Sequence, residues 1–407
     1  QRMLRLQQRY LLVAPIPFNQ DPQGRIWLDQ LWHLDLIAHL NYLAHLTVLA
    51  PCRKISVPEP GMVEVRPREG ARLSFRALHP HSDSTLRALL SLPGSIRNAW
   101  GAIGQADLVH SGVAGWPIPP GVIVNPIALL RRRPLIVVIE SAFWRLQKGQ
   151  RASWKHRLRA TLSEMFARWT LRHAALAVYT NREYRDSLPV GPRGTSLILP
   201  ASWISEADII SPEMALTAWS EKPQTPRFLM ASRFVKEKGV PLFLDALRNL
   251  EATGQSVSID VIGSGPLRKD IEEFAVAAEK VRIRLLEPVP YGSPFFELVR
   301  GYHAVVVPTT GDEQPRILYD AFSQAVPVIA TATAGNLEIV EDGKNGWVVP
   351  ENSADDLARV LTDLSRQPSE LRRMGQAALA VARDFTHITM HERRAESLLR
   401  IFGPAPN

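Results

Sequence analysis

Cysteine and long apolar runs are the most conspicuous absences in this 407-residue sequence. Cys52 is the only cysteine, which excludes a disulfide framework and a cysteine-based metal cluster, and fits a reducing compartment. No apolar run reaches about 18 residues, so the sequence predicts no membrane-spanning helix. No signal peptide is evident either, and we therefore expect a cytoplasmic protein.

The common metal and phosphate motifs are also absent. The sequence has no Asp-x-Asp pair, no histidine-rich cluster and no Gly-Lys-Ser/Thr run of the Walker type. These absences argue against a P-loop enzyme and against a metal ion held by paired aspartates. We therefore predict no metal site and no cofactor.

Length and composition predict two α/β domains. An apolar fraction of 45% is enough for two cores, and a chain of this length suits two domains of ordinary size. Candidate strands alternate with amphipathic helices, which is the pattern of parallel sheets. The proline-rich stretch 200–226 predicts the crossing between domains. We set the segments at 1–204, 205–385 and 386–407.

The two halves of the chain differ in charge. Residues 1–200 hold 26 lysine and arginine residues against 12 acids, whereas residues 201–407 hold 22 against 28. This asymmetry indicates a charged surface or partner for the first half. Within it, residues 145–173 carry Glu164 as their only acid, and apolar residues recur every three or four positions. The pattern predicts a basic amphipathic helix, whose cations are Arg145, Lys148, Arg151, Lys155, Arg157, Arg159, Arg168 and Arg172.

Three alternatives are open for this helix. It can be a surface helix whose apolar face packs on the sheet. It can instead contact an anionic membrane, which would put the protein on the inner face of the cytoplasmic membrane. Nucleic-acid binding is the least favoured, because no recognition module accompanies the charge.

The chain is organised around residues 305–322. Three valines, Val305–Val307, predict a buried strand that Pro308 ends, and a helix is expected to begin near Pro315. The backbone amides of Ile317 and Leu318 would then be free at the helix N-terminus, where anions bind well.

Acids and cations surround this helix start in the sequence. Asp312 precedes the helix and Asp320 lies inside it. Arg233 and Lys238 follow an earlier strand and precede another helix, so both can reach one diphosphate. Gly263 and Gly265 follow the next strand, where glycine allows a ligand to approach the backbone.

Two residues of the first half stand at ends of predicted strands. Gly24 lies between the strand Tyr10–Ala14 and a helix predicted over Ile26–Leu43, so it is either a simple turn glycine or a point of phosphate approach. Glu140 directly follows the strand Leu135–Ile139. It is either a surface or capping acid or a site residue.

Residues 233–350 resemble the nucleotide-binding half of glycosyltransferase family 4, whose members have the GT-B fold. The motifs that carry the resemblance are Arg-x-x-x-x-Lys-Gly at Arg233–Gly239, Gly-x-Gly-Pro-Leu at Gly263–Leu267, the acid-x7-acid pair Asp312 and Asp320, and Glu338–Gly346. The first half matches weakly. The resemblance implies an α/β protein with two Rossmann-like domains whose parallel sheets face a central cleft, and a last helix that crosses back to the first domain.

The resemblance also implies roles for individual residues. Arg233 and Lys238 would hold the diphosphate, Asp312 would meet the donor sugar and Asp320 the ribose. The other residues expected at the donor are Gly24, Gly263, Pro288, Val289, Glu313, Arg316, Ile317 and Leu318, with Pro288 and Val289 near the base and the amides of Ile317 and Leu318 on phosphate. The family usually has Glu at both acid positions, and Glu313 could substitute for Asp312. Glu140 stands where the family often has His, and we include it with Asp312 as a candidate catalytic residue.

The function implied is a metal-independent retaining transfer of a sugar from a UDP- or GDP-sugar. The basic first half favours a lipid-linked or polysaccharide precursor as the acceptor, at the cytoplasmic face of a membrane. One alternative is a catalytically silent nucleotide-sugar-binding scaffold, because both acid positions carry Asp. An epimerase or phosphorylase on the same fold is a third possibility, and we find no candidate for the cofactor lysine of a phosphorylase.

Overall fold

The computed structural model describes residues 5–66, 72–82, 84–115, 118–146 and 152–404. The chain divides into two compact units, which we call unit 1 (residues 1–199 and 391–407) and unit 2 (residues 200–390). The first division falls between Leu199 and Pro200, whereas the sequence placed it near residue 205. Residues 391–407, the end of the chain, cluster with unit 1.

Unit 1 is built on a ten-stranded sheet with the order β10-β9-β8-β7-β1-β4-β2-β3-β5, in which β6 pairs with β4. The strands are β1 (Leu6–Val13), β2 (Phe18–Gln20), β3 (Ile26–Asp29), β4 (Leu43–Lys54), β5 (Met62–Glu64), β6 (Arg72–Pro80), β7 (Leu108–Gly112), β8 (Leu135–Ile139), β9 (Leu176–Tyr179) and β10 (Thr195–Ile198). The pairs of β3 with β2 and with β5 are antiparallel, and all the other pairs are parallel. The sheet therefore carries an antiparallel edge.

The helices of unit 1 cover this sheet. They are α1 (Gln30–Leu40), α2 (Thr85–Leu90), α3 (Leu92–Gly104), α4 (Pro120–Leu130), α5 (Trp154–Arg172) and α6 (Arg182–Ser187). The helix predicted over residues 26–43 was too long at both ends, since α1 ends at Leu40 and Leu43 already belongs to β4. Residues 26–29 form β3, and α1 begins only after Asp29, whose carboxylate accepts a hydrogen bond from the Trp32 amide at 3.0 Å. An acid in this capping position satisfies an amide that would otherwise lack a partner, and so fixes the helix start.

The basic helix predicted over 145–173 begins later than expected, and most of its large apolar side chains face solvent instead of the sheet. Lys148 and Arg151 lie outside the described residues, and α5 starts at Trp154. Its buried residues are Ala167, Thr170 and Leu171. Five large apolar side chains, Trp154, Leu158, Leu162, Met165 and Trp169, are exposed, whereas Phe166 and Leu171 pack against the core of unit 1. The interpretation in which the whole apolar row packs on the sheet is therefore wrong.

Unit 2 contains a six-stranded parallel sheet with the order β13-β12-β11-β14-β15-β16. Its strands are β11 (Arg227–Ala231), β12 (Ser258–Ile262), β13 (Arg282–Leu286), β14 (Ala304–Val307), β15 (Val328–Thr331) and β16 (Gly346–Val349). The helices are α7 (Pro212–Glu221), α8 (Val240–Ala252), α9 (Arg268–Ala277), α10 (Ser293–Arg300), α11 (Ile317–Ser323), α12 (Ala334–Leu337), α13 (Ala354–Leu364), α14 (Pro368–Ala382) and α15 (His387–Phe402), whose last residues belong to unit 1. The buried strand predicted at 305–307 is confirmed as part of β14.

Two loops of unit 2 pack against each other through glycine backbone. Gly239 ends the turn that carries Lys238, and its φ is +76°. A Cβ atom added at Gly239 would lie 1.7 Å from the carbonyl oxygen of Pro308, at the end of β14. The amide of Thr310 donates to the Glu237 carbonyl oxygen at 3.1 Å, which joins the same two loops. Only glycine fits here, because the position needs both a left-handed backbone and a close approach.

Replacing Gly239 by Ala should therefore destabilise unit 2 more than its backbone conformation alone would. Gly254 is the matched control, since its φ is +71° and no atom lies within 4 Å of its added Cβ. We expect Gly254→Ala to lower the free energy of unfolding by about 1–2 kcal/mol, and Gly239→Ala by roughly 3 kcal/mol or more, since overpacking adds to strain. Urea unfolding of both variants measures the difference, and equal losses would contradict the close packing.

Candidate functional site

A cavity of about 550 Å³ opens at the carboxyl edge of the unit 2 sheet. The loops after β11, β12, β13 and β14 form its wall, as expected for parallel strands that end at one edge. Nine of the residues that the sequence predicts for donor binding line it, namely Arg233, Lys238, Gly263, Pro288, Val289, Glu313, Arg316, Ile317 and Asp320. The structure thus brings most of the predicted unit 2 set together, although their roles remain predictions.

The cations of the cavity differ in their surroundings. Lys238 is mostly buried and forms an ion pair with Glu313, a residue of the loop after β14. Arg233 is exposed at the cavity wall. Arg316 is exposed as well, and its guanidinium lies 5.7 Å from the centre of the Trp203 ring. The cavity therefore presents two solvent-accessible cations and one that is already paired.

Asp320 lies on α11 with only 4% of its surface exposed. One of its carboxylate oxygens accepts a hydrogen bond from the Tyr291 hydroxyl at 2.7 Å. Burial raises the pKa of Asp320 to about 7, although the Tyr291 hydrogen bond and the Arg316 charge act in the opposite direction. The carboxyl group therefore keeps its proton to a higher pH than an exposed aspartate does.

Two predicted residues of unit 2 do not line the cavity. Asp312 is exposed, and the residue of that loop at the cavity wall is its neighbour Glu313. Leu318 is fully buried, and its amide donates to the Pro315 carbonyl oxygen at 3.3 Å. The expectation that the Leu318 amide is free is therefore wrong. The helix begins at Ile317, later than predicted, and its first turn uses this amide.

Gly263 lines the cavity, and its close packing gives a structural reason for glycine at this position. A Cβ atom on it would lie 1.8 Å from the carbonyl oxygen of Ser232, so the glycine allows the loop after β12 to pack on the loop after β11. Gly265 does the same against the backbone of Phe234. The Phe234 amide also donates to the Ser264 carbonyl oxygen at 2.7 Å. Both glycines thus allow a close approach of protein backbone, and the approach of a ligand to Gly263 stays a prediction.

Sequence reasoning missed three residues of this site. Tyr291 bonds Asp320, and Gln314 accepts hydrogen bonds from the Ala201 amide at 2.9 Å and the Tyr319 hydroxyl at 2.6 Å. Trp203 lies beside Arg316. For Tyr291 the available signal was an aromatic residue directly after the turn that contains Pro288 and Val289. Nothing in the sequence pointed to the other two.

The two predicted residues of unit 1 lie in separate surroundings. Gly24 belongs to the hairpin between β2 and β3, where its φ is +80° and its amide donates to the Asp21 carbonyl oxygen at 3.0 Å. That turn alone accounts for a glycine. Glu140 directly follows β8 and is exposed, yet crowding by surrounding protein raises the pKa of its carboxyl group, while the Arg394 charge opposes the shift. Their roles toward a donor stay predictions.

A partly buried cluster in unit 1 contains the kinds of side chain that bind metal ions, but the histidine ring nitrogens that would be ligands already have hydrogen-bond partners. Asp35, His39 and His391 bring three ligand atoms within 4.8 Å of one another. His391 Nε2 lies 2.9 Å from Asp35 Oδ1, and its Nδ1 lies 3.1 Å from the Tyr42 hydroxyl. His39 Nδ1 lies 2.8 Å from the Asp35 carbonyl oxygen, and its Nε2 lies 3.2 Å from Arg394 Nη1. Every ring nitrogen is thus engaged, and the adjacent guanidinium charge disfavours a cation.

The protonation of this cluster follows from the same contacts. Arg394 can only donate, so His39 Nε2 accepts and His39 Nδ1 carries the hydrogen. Burial lowers the pKa of His391 to about 3, which keeps that ring neutral. Its Nε2–H then donates a hydrogen bond to Asp35 Oδ1. The cluster therefore joins the half-buried Arg394 guanidinium to the half-buried Asp35 carboxylate through neutral imidazoles, and it ties α15 to α1.

Comparison with known proteins bears on unit 2 first. Residues 217–381 match the family model of glycosyl transferases group 1. That region contains every residue named above that lines the cavity. WcaL of Salmonella typhimurium, provisionally named a colanic acid biosynthesis glycosyltransferase, is 28% identical over 184 residues, which is 42% of this chain and 45% of WcaL. The chain spans about half the length of the curated relatives it matches.

Solved structures extend the likeness to the whole chain. The sucrose-phosphate synthase of Thermosynechococcus elongatus has a TM-score of 0.69 at 16% identity, over 97% of this chain and 99% of that one. HepE of Anabaena, solved in complex with UDP-glucose, has a TM-score of 0.61 at 16% identity, over 97% and 100%. Together with the two mainly parallel sheets, these neighbours show that the chain has the GT-B fold. Among the described residues, no helix combines the length and apolarity that crossing a bilayer requires.

The raised pKa of Asp320 predicts a stability that falls as pH rises. The folded state holds the proton up to about pH 7 and the unfolded chain loses it near 4, so the contribution is complete below pH 4 and is lost through pH 7. Asp320→Asn cannot ionise. Its free energy of unfolding relative to the natural protein should therefore rise by roughly 2–3 kcal/mol between pH 5 and pH 8.

Urea unfolding at both pH values measures this difference. Asp363→Asn, which changes an exposed aspartate on α13, is the control and should show no such change. A difference between Asp320→Asn and the natural protein that is the same at pH 5 and pH 8 would contradict the raised pKa.

Proposed function

We propose that this protein is a glycosyltransferase that moves a sugar from a nucleotide-diphosphate sugar to an acceptor hydroxyl group. The observation that carries the proposal is the unit 2 cavity, in which Arg233, Lys238 and Arg316 meet two carboxylic acids at the carboxyl edge of a parallel sheet. The match of residues 217–381 to glycosyl transferases group 1 supports the same reaction class.

The cations of the cavity would stabilise the leaving group. Transfer breaks the bond between the anomeric carbon and the diphosphate oxygen and forms one from that carbon to the acceptor oxygen, while the acceptor hydroxyl group passes its proton to the departing diphosphate. Negative charge grows on the departing diphosphate, and positioned cations stabilise it in the transition state. Arg233 and Lys238 supply this charge from the single loop between β11 and α8, so we propose that no metal ion is needed.

Asp320 and Glu313 are assigned to hydroxyl groups of two different parts of the donor. A carboxylate accepts two hydrogen bonds at once, which suits a vicinal diol. We assign Asp320 to the ribose, as the sequence resemblance implies, and Tyr291 orients it through the 2.7 Å hydrogen bond. We assign the donor sugar to the acidic pair Asp312 and Glu313, and favour Glu313 because it lines the cavity.

The donor and acceptor follow from chemistry and from the relatives. HepE was solved with UDP-glucose, which supports a UDP-sugar as the first donor to test, with a GDP-sugar as the alternative. WcaL is named for polysaccharide synthesis, so we propose a polysaccharide or lipid-linked precursor as the acceptor, at an anionic membrane surface. Retention of anomeric configuration is part of the proposal, through the resemblance to glycosyltransferase family 4.

Removing either diphosphate cation should reduce the transition-state stabilisation. Arg233→Ala and Lys238→Ala should each lower kcat/KM by the equivalent of about 2–4 kcal/mol, since a charged contact to the leaving group is lost. Lys236→Ala is the control, because Lys236 lies exposed in the same turn and does not line the cavity. Donor consumption with a panel of UDP- and GDP-sugars, with and without a chelator, gives the rates.

The same assay tests the function itself. Turnover that survives chelation and disappears in the two variants supports the proposal. Nucleotide-sugar binding without transfer or donor hydrolysis would instead favour the silent scaffold. Unchanged kcat/KM in Arg233→Ala and Lys238→Ala would exclude this cavity as the site.

The two neighbouring acids can be separated by substitution. Glu313→Gln removes a negative charge beside Lys238, so UDP should bind at least as tightly as before, while kcat should fall about 10–100-fold if the carboxylate contacts the reacting sugar. Asp312→Asn is the matched variant and should change kcat less than about threefold. Steady-state kinetics and UDP titration give the two quantities. A larger loss of kcat in Asp312→Asn would return the role to Asp312.

A further inference from the structure

Helix α5 exposes an apolar stripe to solvent. The stripe, which we call the α5 stripe, consists of five large side chains with the exposed fractions Trp154 70%, Leu158 51%, Leu162 56%, Met165 61% and Trp169 39%. At about 100° per residue, they fall within roughly 80° of the helix circumference. A contiguous exposed face of this size needs an explanation, since single exposed apolar residues are common and an aligned row of them is not.

The core does not account for the stripe. The residues of α5 that are buried or half-buried include Ala160, Ser163, Ala167 and Leu171, whose mean direction lies roughly opposite the stripe. Ala167 and Leu171 belong to the core of unit 1 on that side. Glu164 also points inward, where it accepts hydrogen bonds from Trp144 Nε1 at 2.9 Å and Arg145 Nη2 at 2.9 Å. Contacts on the opposite side thus hold the helix in place, and the α5 stripe is exposed to solvent.

Cations border the stripe. Lys155 and Arg159 lie along one side of it and Arg157 and Arg168 along the other, at about 100° per residue. All four side chains are exposed. The only acid of α5, Glu164, is engaged with Trp144 and with Arg145 and Arg168. The described part of this face therefore combines large apolar groups with positive charge and offers no unpaired carboxylate.

We propose that α5 is a membrane-docking element that lies flat on an anionic lipid surface, with the stripe at the boundary between headgroups and acyl chains and the bordering cations on lipid phosphates. A helix of 19 residues is about 28 Å long, and a tryptophan stands near each end, as is common for side chains at the membrane interface. Helices of this composition bind membranes through apolar insertion and electrostatic attraction together.

The cations beside the α5 stripe favour a membrane, rather than a protein, as the partner that covers the stripe. The cores of protein interfaces are depleted of lysine, and the stripe has cations on both of its sides. A lipid surface rich in phosphate is complementary along the whole length of the helix. This inference deepens the proposed function, since it would hold the chain at the surface where a lipid-linked acceptor resides. It is tested by binding alone, so its failure would leave the donor site unaffected.

Sedimentation of the full chain with vesicles measures the docking. The protein should bind vesicles of phosphatidylcholine and phosphatidylglycerol much more tightly than phosphatidylcholine alone. Leu158→Asp with Leu162→Asp should weaken binding at least tenfold. The control is Met214→Asp with Leu216→Asp on α7, where the native side chains are 47% and 46% exposed but have no such basic border. That control should bind like the natural protein.

A second pair of variants tests the electrostatic part. Lys155→Gln with Arg157→Gln should weaken binding to anionic vesicles about fivefold per charge removed, and the loss should shrink at high salt. Lys269→Gln with Arg372→Gln removes the same charge from exposed positions of unit 2 and should have little effect. An equal loss in both pairs would show that net charge alone matters and would overturn the assignment to α5.

Two further readouts keep these results interpretable. Circular dichroism and donor hydrolysis without acceptor should be unchanged in the α5 variants, which separates lost docking from lost folding. Light scattering without vesicles gives the oligomeric state. A dimer that Leu158→Asp with Leu162→Asp converts to a monomer, together with no vesicle binding by the natural protein, would overturn the proposal in favour of a second copy of the chain.

Discussion

Close backbone packing at the carboxyl edge of the unit 2 sheet is the constraint on which the candidate site depends. Gly239 lies against the Pro308 carbonyl and Gly263 against the Ser232 carbonyl, with no room for a Cβ atom at either position. Lys238 immediately precedes the first glycine, and Arg233 immediately follows Ser232. The positions of both cations are therefore set by backbone contacts, which are stiffer than side-chain contacts because the chain has few soft dihedrals.

Burial then sets the charge of the cavity. Three cations line it, and Glu313 pairs with one of them. Asp320 would cancel a second charge if it were fully ionised, but its burial raises its pKa to about 7. The same apolar surroundings that position the acid thus reduce its negative charge. At and below neutral pH the cavity is positive, and a diphosphate is the class of ligand that such a field attracts.

The sequence predicted this arrangement to the extent that topology determines it. Residues that follow successive parallel strands must meet at one sheet edge, which is why Arg233, Gly263, Val289 and Glu313 come together. The sequence could not predict the hydrogen-bond partners of these side chains, because those partners depend on rotamers and on loop register. A difference of one position decides whether Asp312 or Glu313 faces the cavity. Likewise, the Tyr291 hydroxyl reaches Asp320 from a different loop.

Helix α5 shows the same limit for packing. Its apolar period predicts a helix correctly but does not state which side meets the sheet, and on this helix small residues were better suited to that contact. Helix α13 has a comparable pattern, and its leucines Leu357, Leu361 and Leu364 are buried. The two helices differ in the charges beside the apolar row. Acids and Arg359 share the polar face of α13, whereas cations alone border the α5 stripe. Between these two helices, the charges beside the apolar row differ together with the exposure of that row, whereas the apolar period is alike.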